Sequence, residues 1–401
     1  MQTEQPKQEE IPKKSFFQEL RMTLVPVGIL IFTAGAVYVI NTLHMPLIQY
    51  ERPIEQEAEA KTEPAPPPPW PLSLDTKAYN KRMLSLAHYI APKISTTTAS
   101  STSGSTTPPI AAAPLPTATA STSISVSGAL WPTPAVYPDG GAILPFKRIV
   151  AYYGNFYSTK MGVLGEYPRE EVLQKLASTT KLWEEADPTT PAIPAIQYIA
   201  VVAQGSAGPG GKYILRMPDE EIDKALSMAN ELHGLLFLDI QIGKSTLQAE
   251  LPYLVKYLKM PNVHLAIDPE FSMKYGNPPG TVIGTYDASD INYAASFLAD
   301  LVKKYKLPPK VLVVHRFTQD MVTGYKDIKP LPEVEIVMDM DGWGSPAKKK
   351  GTYYRVINPE PVQFTGIKLF YYNDLRPPST RMMTLREVLD LTPAPVYIQY
   401  Q

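Results

Sequence analysis

Residues 262–271 read NVHLAIDPEF, an apolar run that ends in two carboxylates, Asp268 and Glu270. The run at 263–267 is too short for a helix and suits a strand buried on both faces. Side chains alternate along a strand, so Asp268 and Glu270 share one face. Carboxylates are costly to bury, so this strand is expected to end at a rim open to solvent or substrate. The chain beyond the strand turns helical. Ile291, Ala295, Leu298, Val302 and Tyr305 form one stripe in DASDINYAASFLADLVKKYK (287–306), and Pro308-Pro309 stops it.

The same strand-then-helix couplet recurs on both sides. RIVAYYG (148–154) precedes a helical stretch at 168–186, AIQYIAVVAQG (195–205) one at 218–234, and LLFLDIQIG (235–243) one at 245–259. Further on come KVLVVHRF (310–317), VEIVMDMDGWG (334–344), IKLFYYND (367–374) and PVYIQYQ (395–401), with a last helix at 379–391 opened by the capping-box spacing Thr384/Glu387. Eight such strands over about 250 residues predict an α/β fold, a (β/α)8 TIM-type barrel spanning 147–401. The competing architecture is an open doubly wound sheet. No helix is legible at 345–365.

Ahead of the barrel, residues 22–43 carry no charge, a length of roughly 33 Å as a helix against a hydrocarbon core of about 30 Å. Lys7, Lys13, Lys14 and Arg21 precede this run, which predicts a cytoplasmic tail (1–21), a transmembrane anchor (22–43) and an extracytoplasmic remainder. The competing reading is a signal peptide cleaved near Ala34-Gly35-Ala36. Residues 44–146 are rich in Pro, Ser and Thr, the composition of a stalk and disordered linker. They hold one short helical candidate with Tyr79, Met83, Leu86 and Ile90 on a face.

Composition removes several function classes. The chain has no cysteine, which excludes disulfides, thiolate metal sites and a cysteine nucleophile. Its net charge of −1 argues against a nucleic-acid partner. GSAGPGGKY (205–213) fails the phosphate-loop spacing, and the five histidines form no zinc-hydrolase pattern.

Barrel enzymes place their chemistry at the C-terminal strand ends. Here those ends offer Tyr152 and Tyr153, with Glu166 in the loop beyond; Gln204; Asp239 and Gln241; Asp268 and Glu270; His315; Asp339 and Asp341; Tyr371 and Asp374; and Tyr397 and Gln399. Any one of these residues has an ordinary structural use as a cap or an ion pair. Together they predict a cup of acids, amides and rings, in which crowding raises at least one carboxyl pKa. Such a cup suits carbohydrate chemistry, where rings stack on sugars and two carboxyls share the acid and base or nucleophile roles.

Asp268-Pro269-Glu270 resembles the D-x-E that ends the fourth strand in several (β/α)8 glycoside hydrolases, among them chitinase-like enzymes and muramidase-like lysozymes. The resemblance implies that Glu270 is the proton donor and Asp268 its orienting neighbour. The sequence departs from those patterns at Val263–Ile267, which carry no acids, and at Tyr152 and Tyr153, where the muramidase-like pattern has Asp. The expectation is therefore a membrane-anchored glycoside hydrolase acting on a cell-envelope or external polysaccharide. Asp268, Asp239 or Asp374 would partner Glu270, the remaining strand-end residues would bind substrate, and no organic cofactor is implied. The alternatives are a non-catalytic glycan-binding or surface-assembly barrel, and a Mg²⁺- or Ca²⁺-dependent phosphoester hydrolase using Asp239, Asp268, Glu270, Asp339 and Asp341.

Overall fold

The computed structural model describes residues 70–89 and 122–401. Eight parallel strands close into a ring: β1 (Arg148–Gly154), β2 (Ala192–Ala203), β3 (Leu235–Ile240), β4 (Val263–Ile267), β5 (Lys310–Arg316), β6 (Val334–Met340), β7 (Phe364–Leu369) and β8 (Tyr397–Tyr400). Closure rests on β1, which pairs with β2 from Arg148 to Gly154 and with β8 from Ile149 to Tyr152. The fold is a TIM-type barrel, and the open-sheet alternative falls with that closure.

The N-terminal end of the barrel is sealed by residues from the stretch read as stalk and linker. The helical candidate there forms α1 (Thr76–Leu86), and its buried Tyr79, Met83 and Leu86 join the lower barrel core with Ile149, Phe237, Val337 and Phe364. Tyr79 meets Tyr137, Phe146 and Phe364 edge to face, at centroid distances of 5.5, 6.2 and 6.4 Å. Residues 122–147 complete the seal. Glu335 at the start of β6 accepts the backbone N–H groups of Ile143 at 3.0 Å and Leu144 at 2.6 Å. Among the described residues no helix is long and apolar enough to cross a membrane; the candidate span 22–43 lies outside them.

The strands read as unbroken apolar runs because both faces are covered, one by the outer helices and one by the barrel interior. The outer layer includes α2 (Arg169–Ala186), α3 (Asp219–Glu231) and α4 (Ala288–Tyr305). In α4 a capping box between Asp287 and Asp290 satisfies the first turn, and Lys306 ends the helix in the left-handed conformation. Pro252 breaks the stretch after β3 into short turns between Leu247 and Leu258. The region 345–365, read as lacking a helix, holds α5 (Pro346–Thr352), continued by a wider turn over Tyr353–Ile357. Its start is set by the Ser345 side chain, which caps Lys348 N–H. A short helix, α6 (Leu385–Leu389), opens on the expected Thr384/Glu387 capping box.

Candidate active site at the barrel mouth

Alternate residues of each strand face inward, so successive layers can be followed up the barrel. The lower layers are mostly apolar, with Ala151, Ala195, Phe237, Ala266 and Val313, and hold His264 and Glu335 as buried polar residues. Above them the interior turns polar. Tyr397 donates from its hydroxyl to Gln197 Oε1, and Gln197 Nε2 donates to Asp239 Oδ2 at 2.6 Å.

His315 is the centre of the next layer and is fully buried. Its Nε2 lies 2.8 Å from Asp239 Oδ2, and its Nδ1 lies 3.2 Å from Asp339 Oδ2 and 3.4 Å from Asp341 Oδ2. Burial opposes charge on the ring, but Asp239, Asp339 and Asp341 outweigh it and raise the imidazole pKa well above its usual value. The charged form of the ring is therefore favoured, with acids facing both of its nitrogens and Gln197 Nε2 lying 3.0 Å from its Nε2. Asp339 itself is pushed up by burial, against the pull of His315. Gly366 makes room for it: a Cβ there would stand 2.6 Å from Asp339 Oδ1.

The top layer opens into a cavity of about 590 Å³, whose lining includes Tyr153, Gln241, Asp268, Glu270, Asp341 and Lys368. Gln241 bridges three neighbours: its Oε1 accepts Ala203 N–H at 3.1 Å, and its Nε2 lies 3.2 Å from Asp268 Oδ2 and 3.4 Å from the Tyr153 hydroxyl. Asp268 Oδ1 accepts the Glu270 backbone N–H at 3.0 Å and so fixes the turn that aims Glu270. Lys368 Nζ lies 3.1 Å from Asp341 Oδ1 and 3.8 Å from the centre of the Tyr153 ring. Phe271, Phe317, Trp343 and Phe370 supply aromatic surface around these polar groups.

Two carboxyls in the cavity are shifted strongly. Burial pushes Asp268 well above the usual carboxylate range, with the nearby His315 charge acting against it. Glu270 is raised to about 7, first by burial and then by the Asp341 carboxylate, with Lys368 and His315 opposing. Its carboxyl accepts no hydrogen bond from a described residue, whereas both Asp341 oxygens face cations. One acid is thus poised to hold a proton near neutral pH while its neighbour is ion-paired, the division of roles that acid–base catalysis needs.

Most of the strand-end residues converge as expected: Tyr153, Asp239, Gln241, Asp268, Glu270, His315, Asp339, Asp341, Tyr397 and Gln399 occupy the upper interior or the mouth. Five do not. Asp374 is fully buried beside the cavity, ion-paired to Lys349 at 3.1 Å and capping the backbone N–H groups of Gly344 and Phe370, so it has no free oxygen for substrate. Tyr152 and Tyr371 lie on the outer side of the barrel, hydroxyl to hydroxyl at 3.0 Å, with Tyr152 also bonded to Thr179 of α2. Glu166 accepts the Tyr372 hydroxyl at an exposed edge. Gln204 stands beyond the rim, because β2 overshoots the barrel and folds back through a hairpin to residues 214–216.

Gln197, Lys368, Lys349 and Trp343 were not singled out from the sequence. Lys368 had a legible signal, as a lone charge in the apolar run FTGIKL. As for metal, among the described residues no group of three or more His, Asp or Glu side chains is arranged to hold an ion. Asp239 and Asp339 are engaged by His315, and Asp341 by Lys368. No protein-family model, curated protein or solved structure matches this chain.

Proposed function

We propose that this barrel is a glycoside hydrolase, tethered to a membrane through residues 22–43 and acting on a cell-envelope or external polysaccharide. The observation that carries the reading is Glu270: a carboxyl raised to about 7, lining an aromatic-walled cavity beside the ion-paired Asp341. Glu270 is the general acid that protonates the leaving glycosidic oxygen. Asp341 is the second carboxylate, a role the sequence had assigned to Asp268, Asp239 or Asp374. It stands at the cavity wall against Lys368 and His315, and in this role one of its oxygens exchanges its cation contact for water or the sugar carbon. Asp268 orients Glu270 through its backbone, and Tyr153, Gln241 and the surrounding rings hold the sugar.

The test is release of new reducing ends from a polysaccharide panel by the full-length protein, together with its Glu270→Gln and Asp341→Asn variants. Each substitution is expected to lower turnover by about 10²–10⁴-fold while the variant still unfolds cooperatively. Turnover that survives Glu270→Gln removes the acid role. Glycan binding by the wild type without turnover of any polymer establishes the non-catalytic barrel instead.

A further inference from the structure

The rim of the cavity carries a charge pattern that the acid–base chemistry does not use. Lys160 in the loop after β1, Lys348 in α5 and Arg355 in the turn after α5 all line the cavity, and all three are exposed. None forms an ion pair with a described residue, although the neighbouring Lys349 and Lys350 both do. Some exposed cations elsewhere pair with acids, as Arg169 does with Glu170 and Glu231 and Arg381 with Glu387, and others such as Lys77, Lys212 and Lys326 do not; what sets Lys160, Lys348 and Arg355 apart is that all three line one cavity. The net charge is −1, so an overall basic excess does not explain the rim.

The acids of the cavity and its unpaired cations therefore differ in exposure, Lys368 being a buried cation already paired with Asp341. The carboxyls that line it, Asp268, Glu270 and Asp341, come from the ends of β4 and β6, whereas the unpaired cations come from loops and α5 above them. Trp343 is 42 % exposed and also lines the cavity, with Lys348 Nζ 4.2 Å from its ring and the Arg376 guanidinium 5.2 Å away. Contact with a ring face positions a cation without neutralising it. Clustered like charges repel one another, and a ligand anion relieves that repulsion.

We infer that the polysaccharide is anionic, with carboxylate or phosphate groups bound by Lys160, Lys348 and Arg355 while a sugar stacks on Trp343 and the scissile bond rests over Glu270 and Asp341. This inference rests on the hydrolase reading above and names its substrate class. An acidic chain would be repelled by the carboxyls alone; the rim cations reverse that repulsion and set its register.

Binding is measured on the full-length Glu270→Gln protein, so that it is read apart from cleavage. The probes are a uronic-acid polymer, a phosphate-bearing glycan polymer and a neutral polysaccharide of matched length. They are compared at about 0.05 M and about 0.5 M salt, between which the screening length falls roughly threefold. One of the anionic polymers is expected to bind at least about tenfold more tightly than the neutral one and to lose most of that advantage at high salt. Which of the two binds identifies the anion. Adding Lys348→Ala and Arg355→Ala is expected to weaken anionic binding by about tenfold, with neutral binding and Tm unchanged.

Equal binding of neutral and anionic polymers, or anionic binding indifferent to the double substitution, overturns the inference. So does a double variant, made in the otherwise wild-type protein, whose only effect is a displaced pH profile on every polymer, since the cations would then serve only to tune the acids. If the wild-type protein cleaves neutral chains as fast as anionic ones, the substrate class fails and the hydrolase stands. If anionic chains bind the rim but are never cleaved, the hydrolase fails and the anion site stands.

Discussion

The two ends of this barrel each hold a glutamate with a raised pKa, and they use it differently. At the sealed end Glu335 is pushed up to about 8 by burial, against two backbone N–H groups that favour its charge. At the open end Glu270 is raised to about 7 by burial and by a second carboxylate, Asp341. Glu335 is fully buried and spends its oxygens on Ile143 and Leu144. Glu270 has its carboxyl turned into a cavity. A displaced pKa alone does not mark a catalytic acid; access from a cavity and a second carboxyl lining the same cavity do.

The sharpest way to break this contrast is to make the same change at both ends. Glu270→Gln is expected to lower polysaccharide turnover by about 10²–10⁴-fold, and Glu335→Gln to leave it within about twofold. Rates for both variants, measured alongside urea unfolding, check this. Comparable losses of turnover would mean that the floor and the mouth are one coupled unit.

Next in size is the imidazolium. His315→Phe removes the cation between Asp239 and Asp339 and leaves those buried acids facing an apolar ring, a loss of about 3–5 kcal/mol in stability by urea denaturation. A loss below about 1 kcal/mol would mean that the acids take up protons readily and that His315 is not the keystone of the upper layers. The floor has its own keystone. Tyr79→Ala empties the space among Tyr137, Phe146 and Phe364 and should cost about 3 kcal/mol, with turnover per folded molecule unchanged.

The sequence disclosed the mouth better than the floor, for physical reasons. Acids that end apolar strands are conspicuous, and in β3, β4 and β6 the inward alternation brought Asp239, Gln241, Asp268, Asp339 and Asp341 where the pattern placed them. Alternation was silent where both faces are apolar: nothing in RIVAYYG tells that Tyr153 faces in and Tyr152 faces out. Strand ends misled where the chain did not stop at the rim. β2 overshoots it, so the interior amide is Gln197 and not Gln204. β7 ends at Leu369, before the tyrosines, so its contribution is Lys368 and not Tyr371 or Asp374. The floor was hidden because α1 is a single short amphipathic helix in Pro-rich surroundings, and its partners lie far along the chain at Phe364 and Ala394. Local composition carries no trace of such contacts.

A further contrast concerns the pH dependence of stability at the sealed end. Glu335 has a folded-state pKa of about 8 against an ordinary value of 4.5, so the native protein binds this proton more tightly than the unfolded chain does. Its contribution to stability is fully present below 4.5 and is lost as pH rises through about 8. Lys310, lowered to about 7 by burial at the same end of the barrel, works with the opposite sign, because its charged form is the one penalised in the folded state. The wild-type profile is therefore a partial cancellation, and the difference between wild type and Glu335→Gln isolates the glutamate. That difference should favour the wild type near pH 5 and shift toward the variant as the pH rises to about 9, measured as urea midpoints at constant ionic strength. Parallel profiles would show that the backbone N–H groups of Ile143 and Leu144 hold Glu335 ionised throughout. The two ends of the barrel would then differ in the charge of their glutamates as well as in access to them.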